Sequence, residues 1–348
     1  MGRLVRLTEQ GFIDRVASLS RPARGSRGAG WRPVLGIGDD AAVLPSAGRL
    51  QTLLTTDFLT DGVHFRTAWT PGFLLGRKAL SVNLSDIAAM GGVPRACVFS
   101  AGFPRRTSPV YAGEVARGFA GQARRHGVSI VGGDTCAARS LFLNVALLGA
   151  VEPGREVRRS GARAGDGLYV TGGLGASAAG LHLLKRGARP PGRGRAGRQA
   201  ARAVRAHLDP EPRVVAGRLL GMTGIAAAMI DLSDGLWRDL LRLCAASGTG
   251  AVVEEAAVPV APAAAAVLGP DGARRAAIVG GEDYELLFTA RSGLEAQVAR
   301  LARRIRLPVA RIGQILPRRR GVRLLTRSGR YVPFAALEGG FRHFPADA

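Results

Sequence analysis

The chain has few of the features that usually organise a fold or announce a function. Its 348 residues include only three cysteines, Cys97, Cys136 and Cys244, scattered and without a Cys-x-x-Cys pair. That count and spacing argue against a disulfide framework and against a zinc site. Aromatic residues make up only 5%, and none is interleaved with basic clusters as a nucleic-acid stacking platform requires. No apolar stretch reaches the roughly 18 residues that suggest a membrane span. The N-terminal MGRLVRLTEQGFIDRV lacks the long apolar core of a secretory signal. A cytoplasmic protein with no membrane partner is expected. Two nucleotide signatures are also missing: no GxxxxGK[ST] loop and no protein-kinase motif set occur.

Lysine is nearly absent as well. Of 49 basic residues, Lys78 and Lys185 are the only lysines, and the formal charge is +23. A basic surface attracts nucleic-acid backbones, but an almost pure arginine usage spread over the whole chain reads as a coding bias. Clusters at 186–206 and 318–330 are not matched by aromatics, so nucleic acid is not the expected partner.

A chain of this length exceeds what one hydrophobic core usually supports, and 47% apolar residues suffice for normal interiors. Two units are expected, 1–150 and 151–348. In the first, strand-like runs at 50–59, 96–104, 128–135 and 140–151 alternate with helical spacing at 71–90 and 108–126, as in a sheet covered by helices. In the second, helices are expected at 211–220, 235–246 and 292–305, and strands at 284–289, 308–316 and 322–333. The Arg-, Gly- and Pro-rich stretch 186–200 reads as a mobile loop.

The acids carry the chemistry. Asp39 and Asp40, Asp57, Asp134, Asp231 and Asp234, and Glu282 and Asp283 follow apolar runs at turns, most beside glycine, while Asp86 lies within the 71–90 helix. A carboxylate at the end of a buried strand is well placed to hold a hard cation over a pocket. Each alone also fits a turn or a helix cap. As a set, with glycines allowing close backbone approach to phosphate, they fit several Mg²⁺ ions around a polyphosphate. Gly173-x-Gly175-x-x-Ala178 approaches a dinucleotide fingerprint, but the acid expected roughly 20 residues later is missing from RPPGRGRAGRQA. It reads as a tight strand-to-helix turn.

Seven segments in order, GIGDDAAVL (36–44), TTDFLTDGVHF (55–65), KALSVNLSDIAAMGGVP (78–94), GGDT (132–135), RRSGARAGD (158–166), IDLSDGL (230–236) and GGEDYELLF (280–288), resemble the thiamine-monophosphate kinases. That family is part of a superfamily with aminoimidazole-ribonucleotide synthetase and selenophosphate synthetase. The resemblance runs from about residue 10 to the C-terminus. It implies an α/β N-terminal domain that binds ATP and Mg²⁺ and pairs its sheet with a twin across a homodimer. It further implies a C-terminal α+β domain that closes the active-site cleft. The implied reaction is direct transfer of the ATP γ-phosphoryl to thiamine monophosphate.

Carried over position by position, the resemblance implies that Asp40, Thr55, Thr56, Asp57, Asp86, Asp134, Asp231 and Asp234 hold Mg²⁺, with Asp57, Asp86 and Asp134 central to catalysis. It implies ATP contacts from Gly133, Asp134, Arg159, Ser233 and Tyr111, and acceptor contacts from His64, Glu282 and Phe341. Near Phe341 the family's aromatic-Asp-His-Phe run is replaced by Gly340-Phe341-Arg342-His343-Phe344. Two alternatives stay open from sequence: another ATP-using member of the superfamily, and a non-catalytic sensor of nucleotide or thiamine phosphates.

Overall fold

The computed structural model describes residues 13, 14, 16, 33–46, 48–187 and 194–334. Two sheets dominate it. The first is built from β1 (Ala42–Leu44), β2 (Gln51–Thr60), β3 (Val93–Phe103), β4 (Ser129–Ala137) and β5 (Phe142–Val151), in the order β1-β2-β5-β3-β4. All neighbours are antiparallel except β3 and β4. The second has seven strands: β6 (Gly167–Thr171), β7 (Ala228–Asp231), β8 (Thr249–Glu254), β9 (Leu286–Ala290), β10 (Val309–Pro317), β11 (Val322–Leu325) and β12 (Tyr331–Pro333). Their order is β12-β11-β8-β10-β6-β9-β7, with only β11 and β8 parallel.

The first sheet is covered on one face by α1 (Gly72–Ala89) and α2 (Pro109–Arg125). Pro at the first helical position and the Ser108 side chain, which accepts from Val110 N–H, start α2. In α1 the eight consecutive residues Lys78–Ser85 are all buried, so burial runs round the whole circumference, as expected of a helix enclosed on all sides. The enclosure depends on missing side chains. A Cβ on Gly76 would lie 1.9 Å from the Val115 carbonyl oxygen, and one on Gly118 1.8 Å from that of Phe73. On another side, α5 (Val214–Thr223) approaches so closely that a Cβ on Gly217 would lie 2.0 Å from the Ala88 oxygen. Thus α1 packs against both halves of the molecule and also contacts β7.

The other α-helices given bounds among the described residues are α3 (Ala176–Lys185), α4 (Arg195–Leu208), α6 (Leu236–Ser247), α7 (Pro262–Val279) and α8 (Glu295–Ile305). Among the described residues no helix is long and apolar enough to cross a membrane.

The sequence reading needs correction in three places. The stretch 186–200, expected as a loop, is helical from Arg195 onward. Small apolar residues there recur at helical spacing: Gly197, Ala200, Ala203, Val204 and Leu208 are buried, and Gly180 of α3 lets the Ala203 backbone approach. The high Arg and Gly content hid an amphipathic helix. Residues 188–193 lie outside the described residues. The run 322–333 is two strands, β11 and β12, joined by a turn in which Gly329 N–H donates to Thr326 O. Strands β7 and β8 and helix α7 had no distinct signal in the sequence, and α3 was marked only by the strand-to-helix turn before it.

Candidate active site

A cavity of about 1590 Å³ opens between the two halves, lined from both. Four elements deliver its acids. Asp40 sits in the loop after Gly38, and Asp57 on β2. Asp86 projects from the last turn of the buried α1, and Asp231 ends β7. One carboxylate oxygen each from Asp40, Asp86 and Asp231 lie within 4.8 Å of one another. The Thr55 hydroxyl donates to Asp86, and the Ser85 hydroxyl donates to Asp231 at 2.6 Å. On β2, Thr55 and Asp57 share a face. Thr56 borders the cavity, but its hydroxyl donates to Asn144 Oδ1 at 3.0 Å.

These carboxylates are held together against their own repulsion. Burial, then the neighbouring Asp40, raises Asp57 to about 6. Burial raises Asp86 and Asp231 well above the ordinary carboxylate range, with further upward pushes from the other acids of the cluster. Burial also raises Asp40, although Arg159 opposes the shift. Asp40 accepts from Arg159 Nη2 at 2.6 Å through Oδ1, while its Oδ2 is buried without a hydrogen-bond partner. Asp39 backs the arrangement by accepting from Arg159 N–H at 3.0 Å. An acidic trio, with Asp40 and Asp231 buried and Asp86 half-buried, that has an unpartnered oxygen and oxygen-only donors is the chemistry that a hard divalent cation satisfies.

Ser233 and Asp234 line the same cavity in the turn between β7 and α6. Asp234 pairs with Arg242 at 2.7 Å. The Glu282–Tyr284 segment is laced to this turn: Glu282 N–H donates to Ser233 O at 2.7 Å, and Tyr284 N–H to Leu232 O at 2.9 Å. His64 also lines the cavity, with its Nδ1 accepting from Thr60 N–H at 3.1 Å. Glu282 forms an ion pair with Lys78 at 2.8 Å and meets His207 Nδ1 at 3.1 Å.

Other expected residues lie apart. Gly133 and Asp134 are on β4, an edge strand exposed along its whole length. A Cβ on Gly133 would lie 1.9 Å from the Phe99 oxygen, so glycine is needed for the β3–β4 approach. The register Phe58↔Asn144↔Ser100↔Asp134 places Asp134 three strands from β2, or about 14 Å at the usual strand spacing. Tyr111 donates its hydroxyl to Thr70 O at 3.0 Å and does not line the cavity. Phe341 lies outside the described residues.

The turn Gly173-Leu174-Gly175 does lead into a helix, as its sequence suggested. The N-terminus of α3 is filled from within the chain: Asp283 accepts from Gly175 N–H at 2.7 Å and from Ser177 N–H at 3.2 Å. That carboxylate occupies the place where a dinucleotide phosphate would sit.

Sequence reasoning did not single out Lys78, His207, Ser85 or Arg242. One signal for Lys78 was available: it is one of two lysines in a chain that otherwise uses arginine.

Residues 38–151 match the family described as AIR synthase related protein, N-terminal domain, and residues 163–325 match its C-terminal domain. The thiamine-monophosphate kinase of Salmonella typhimurium is 36% identical over 313 residues, covering 89% of this chain and 91% of that protein. Among solved structures, the thiamine-monophosphate kinase from Stenotrophomonas maltophilia superposes with a TM-score of 0.75 at 35% identity, covering 94% of this chain and 98% of the other. AaThiL complexed with AMPPCP and TMP gives a TM-score of 0.81 at 29% identity over 99% of both chains.

Proposed function

This chain belongs to the thiamine-monophosphate kinase family of AIR synthase related proteins, and on that premise we propose that it uses ATP to phosphorylate thiamine monophosphate, giving thiamine diphosphate and ADP. The observation that carries the reading is the convergence of Asp40, Asp86 and Asp231 from three separate motifs on one cavity. The solved relative that holds both AMPPCP and TMP supports it.

Both reactants are anions, so the obstacle is repulsion between the γ-phosphate and the acceptor phosphate. Mg²⁺ held by Asp40, Asp86 and Asp231 would offset that charge and align the two groups. The residues themselves fix the oxygens that would do the holding. Thr55 orients Asp86, Ser85 orients Asp231, and Asp39 holds the Arg159 backbone. Arg159 brings a guanidinium fork to the cavity wall, suited to phosphate oxygens. Ser233, His64 and Glu282 line the same cavity; we assign the Ser233 hydroxyl to ATP, and His64 and Glu282 to the acceptor. An acceptor phosphate monoester has a second pKa of about 6, so its attacking oxygen is already ionised near neutral pH and no strong general base is required. Asp57, Thr56 and Asp234 we assign to further Mg²⁺ ligation, and Phe341 to the acceptor ring.

We also propose a homodimer, with 1–150 forming the dimerising domain and 151–348 the domain that closes the cleft. Strand β4 leaves its edge open, with Ile130 and Val131 exposed. Leu54, Phe58, Val98 and Leu148 are exposed on the first sheet. An open edge beside exposed apolar residues suits a second copy of the chain. Gly133, Asp134 and Tyr111 lie outside the cavity of one copy, and we assign their nucleotide and metal contacts to the assembled dimer. An ATP-using enzyme of this kind is placed in the cytoplasm.

The test is ADP release with ATP and Mg²⁺, with and without thiamine monophosphate, with thiamine diphosphate followed by chromatography. Product that needs both Mg²⁺ and thiamine monophosphate is expected. ADP formed without thiamine diphosphate would mean another acceptor, and no turnover by folded protein would point to a sensor.

A further inference from the structure

One wall of the cavity holds a buried charged group that the reaction as described does not use. Lys78 of α1 has a side chain only 1% exposed, and its ammonium lies 2.8 Å from Glu282 Oε1. His207, near the end of α4, brings Nδ1 to 3.1 Å from Glu282 Oε2. Each carboxylate oxygen therefore has its own partner, from a different helix. The same ammonium donates to His64 O at 3.4 Å, and Ser177 Oγ lies 3.0 Å from His207 Nδ1. Glu282 has φ 64° and Tyr284 φ 51°, a left-handed backbone that residues with a Cβ adopt only when their surroundings enforce it.

The charges in this group cancel. Burial opposes ionisation of Glu282, but Lys78 and then His207 outweigh it and hold the carboxyl well below its usual range. Burial and then Lys78 push the His207 imidazole down, towards its neutral form. What remains is one ammonium and one carboxylate. Lys185, also on the cavity wall, acts on His207 as a second nearby cation. A cationic ring gains little from a carboxylate already neutralised and flanked in this way. The carboxylate does keep lone pairs, since it offers about four acceptor sites and two are used. Its side chain is 23% exposed, and the residue lines the cavity.

We propose that Lys78 and His207 are positioning residues for the acceptor: they fix the direction of the Glu282 carboxylate and cancel its charge, so that Glu282 receives a hydrogen bond from a neutral N–H group instead of serving as counter-ion to the cationic ring. The proposal rests on thiamine monophosphate being the acceptor. That molecule carries its N–H hydrogens on the pyrimidine amino group and its positive charge on the thiazolium.

The test is a double-mutant cycle with Lys78→Met, Glu282→Gln and the combined variant. KM for thiamine monophosphate, KM for ATP and kcat are measured for each, with folding checked by circular dichroism. Each single change leaves one charge of the Lys78–Glu282 pair without the other. Each is expected to raise KM for thiamine monophosphate at least ~10-fold while KM for ATP stays within about twofold. The double variant removes both charges and keeps an amide oxygen as acceptor. Its KM for thiamine monophosphate is expected to lie at least ~5-fold below that of either single variant. Should a single variant fail to fold, the double variant is compared with the wild type, and a KM within about 20-fold is expected.

A double variant as poor as the singles, or more than about 20-fold above wild type where a single does not fold, would overturn the inference. So would a parallel rise in KM for ATP, the mark of general disruption. Calorimetric titration of wild-type protein with thiamine monophosphate separates the two readings. Wild type that neither binds nor phosphorylates it would sink the proposed function, and this inference with it. Wild type that does both, with no recovery in the double variant, would sink this inference alone.

Discussion

Arg159 places its guanidinium 2.6 Å from Asp40 Oδ1, so that in the protein alone an arginine neutralises a carboxylate that the proposed Mg²⁺ site would use. Coulombic attraction from Asp40, Asp39 and Asp231 outweighs the burial that disfavours the guanidinium charge. The same side chain faces the cavity where phosphate oxygens would lie. Arg159→Met is therefore expected to do two opposite things. Turnover should fall at least ~100-fold, as when a transition-state charge contact is lost. Mg²⁺ should bind the nucleotide-free variant more tightly, because Asp40 no longer has a competing cation. Calorimetric Mg²⁺ titration of both proteins checks the second effect, and weaker Mg²⁺ binding by the variant would count against it.

Asp86→Asn and Asp231→Asn are expected to separate stability from activity. Both carboxylates sit in a cluster that burial and mutual repulsion make costly to ionise. A neutral amide of the same shape relieves that repulsion, so melting temperature without Mg²⁺ should stay level or rise. Turnover should fall at least ~100-fold, since positioning and charge neutralisation supply several kcal/mol of the barrier reduction. Thermal melting and kcat on the same preparations decide it; loss of stability together with activity would mean that these acids hold the fold.

The pH dependence follows from the same cluster. Asp39 and Asp57 are raised from 3.8 to about 6, in both cases by burial first and Asp40 second. The folded state therefore binds more protons than the unfolded chain between about pH 4 and pH 6. The contribution of these groups is most favourable below their unfolded pKa and is lost as pH rises through the folded value. The cation competes with those protons, so stabilisation by Mg²⁺ should grow from pH 5 to pH 7. At a hundredfold excess over Kd it should reach about 2.7 kcal/mol. Melting temperatures with and without Mg²⁺ across that range test this, and a shift that does not depend on pH would contradict it.

The acidic residues were legible because their setting is local: an apolar run, a glycine, a carboxylate. Asp40 and Asp231 could be named from such segments, whereas Asp86 sits inside a helix and took its role from the family resemblance; only the fold brings their oxygens within 4.8 Å. Lys78 and His207 were not legible, because their partner Glu282 is far away in sequence and the pairing depends on how α1 and α4 approach the segment between α7 and β9. Helix α4 was missed for a different reason. Its apolar stripe is made of Gly197, Ala200 and Ala203, residues too small to register as a hydrophobic face, while its arginines dominate the composition.

Two glycines on neighbouring helices give a test of the fold with opposite signs. A Cβ at Gly76 of α1 would meet the Val115 carbonyl oxygen at 1.9 Å. That oxygen belongs to a helix backbone, so Gly76→Ala must push α1 and α2 apart. Overpacking of this kind costs about 1–3 kcal/mol. Because α1 carries both Asp86 and Lys78, activity should fall along with stability. At Gly113 of α2 an added Cβ would meet nothing within 4 Å, and the backbone has no positive φ. Gly113→Ala should stabilise by about 0.5–1 kcal/mol through helix propensity alone. Urea melts of the two variants measure both effects.

The last prediction concerns β4. Val131 is 65% exposed on this edge strand, and Ile130 45%. Nine consecutive residues, Ser129–Ala137, are all exposed, although only one side of the strand is paired, to β3. A monomer would normally protect such an edge with charge, proline or a bulge on its outer side. Here that protection is slight: one acid, Asp134, and a register shift that leaves Val131 without a partner on β3, beside exposed Ile130, two glycines and Cys136. If a second copy covers the strand, Val131→Glu should shift the protein from dimer to monomer in analytical ultracentrifugation. It should leave the melting of the C-terminal half unchanged, because β4 belongs to the first sheet alone. Turnover should fall too, since Gly133 and Asp134 are on the same strand and are assigned to the assembled dimer. A variant that remains dimeric would place the interface elsewhere. A monomer with full activity would remove Gly133 and Asp134 from the site and leave the cavity of one copy sufficient for the reaction.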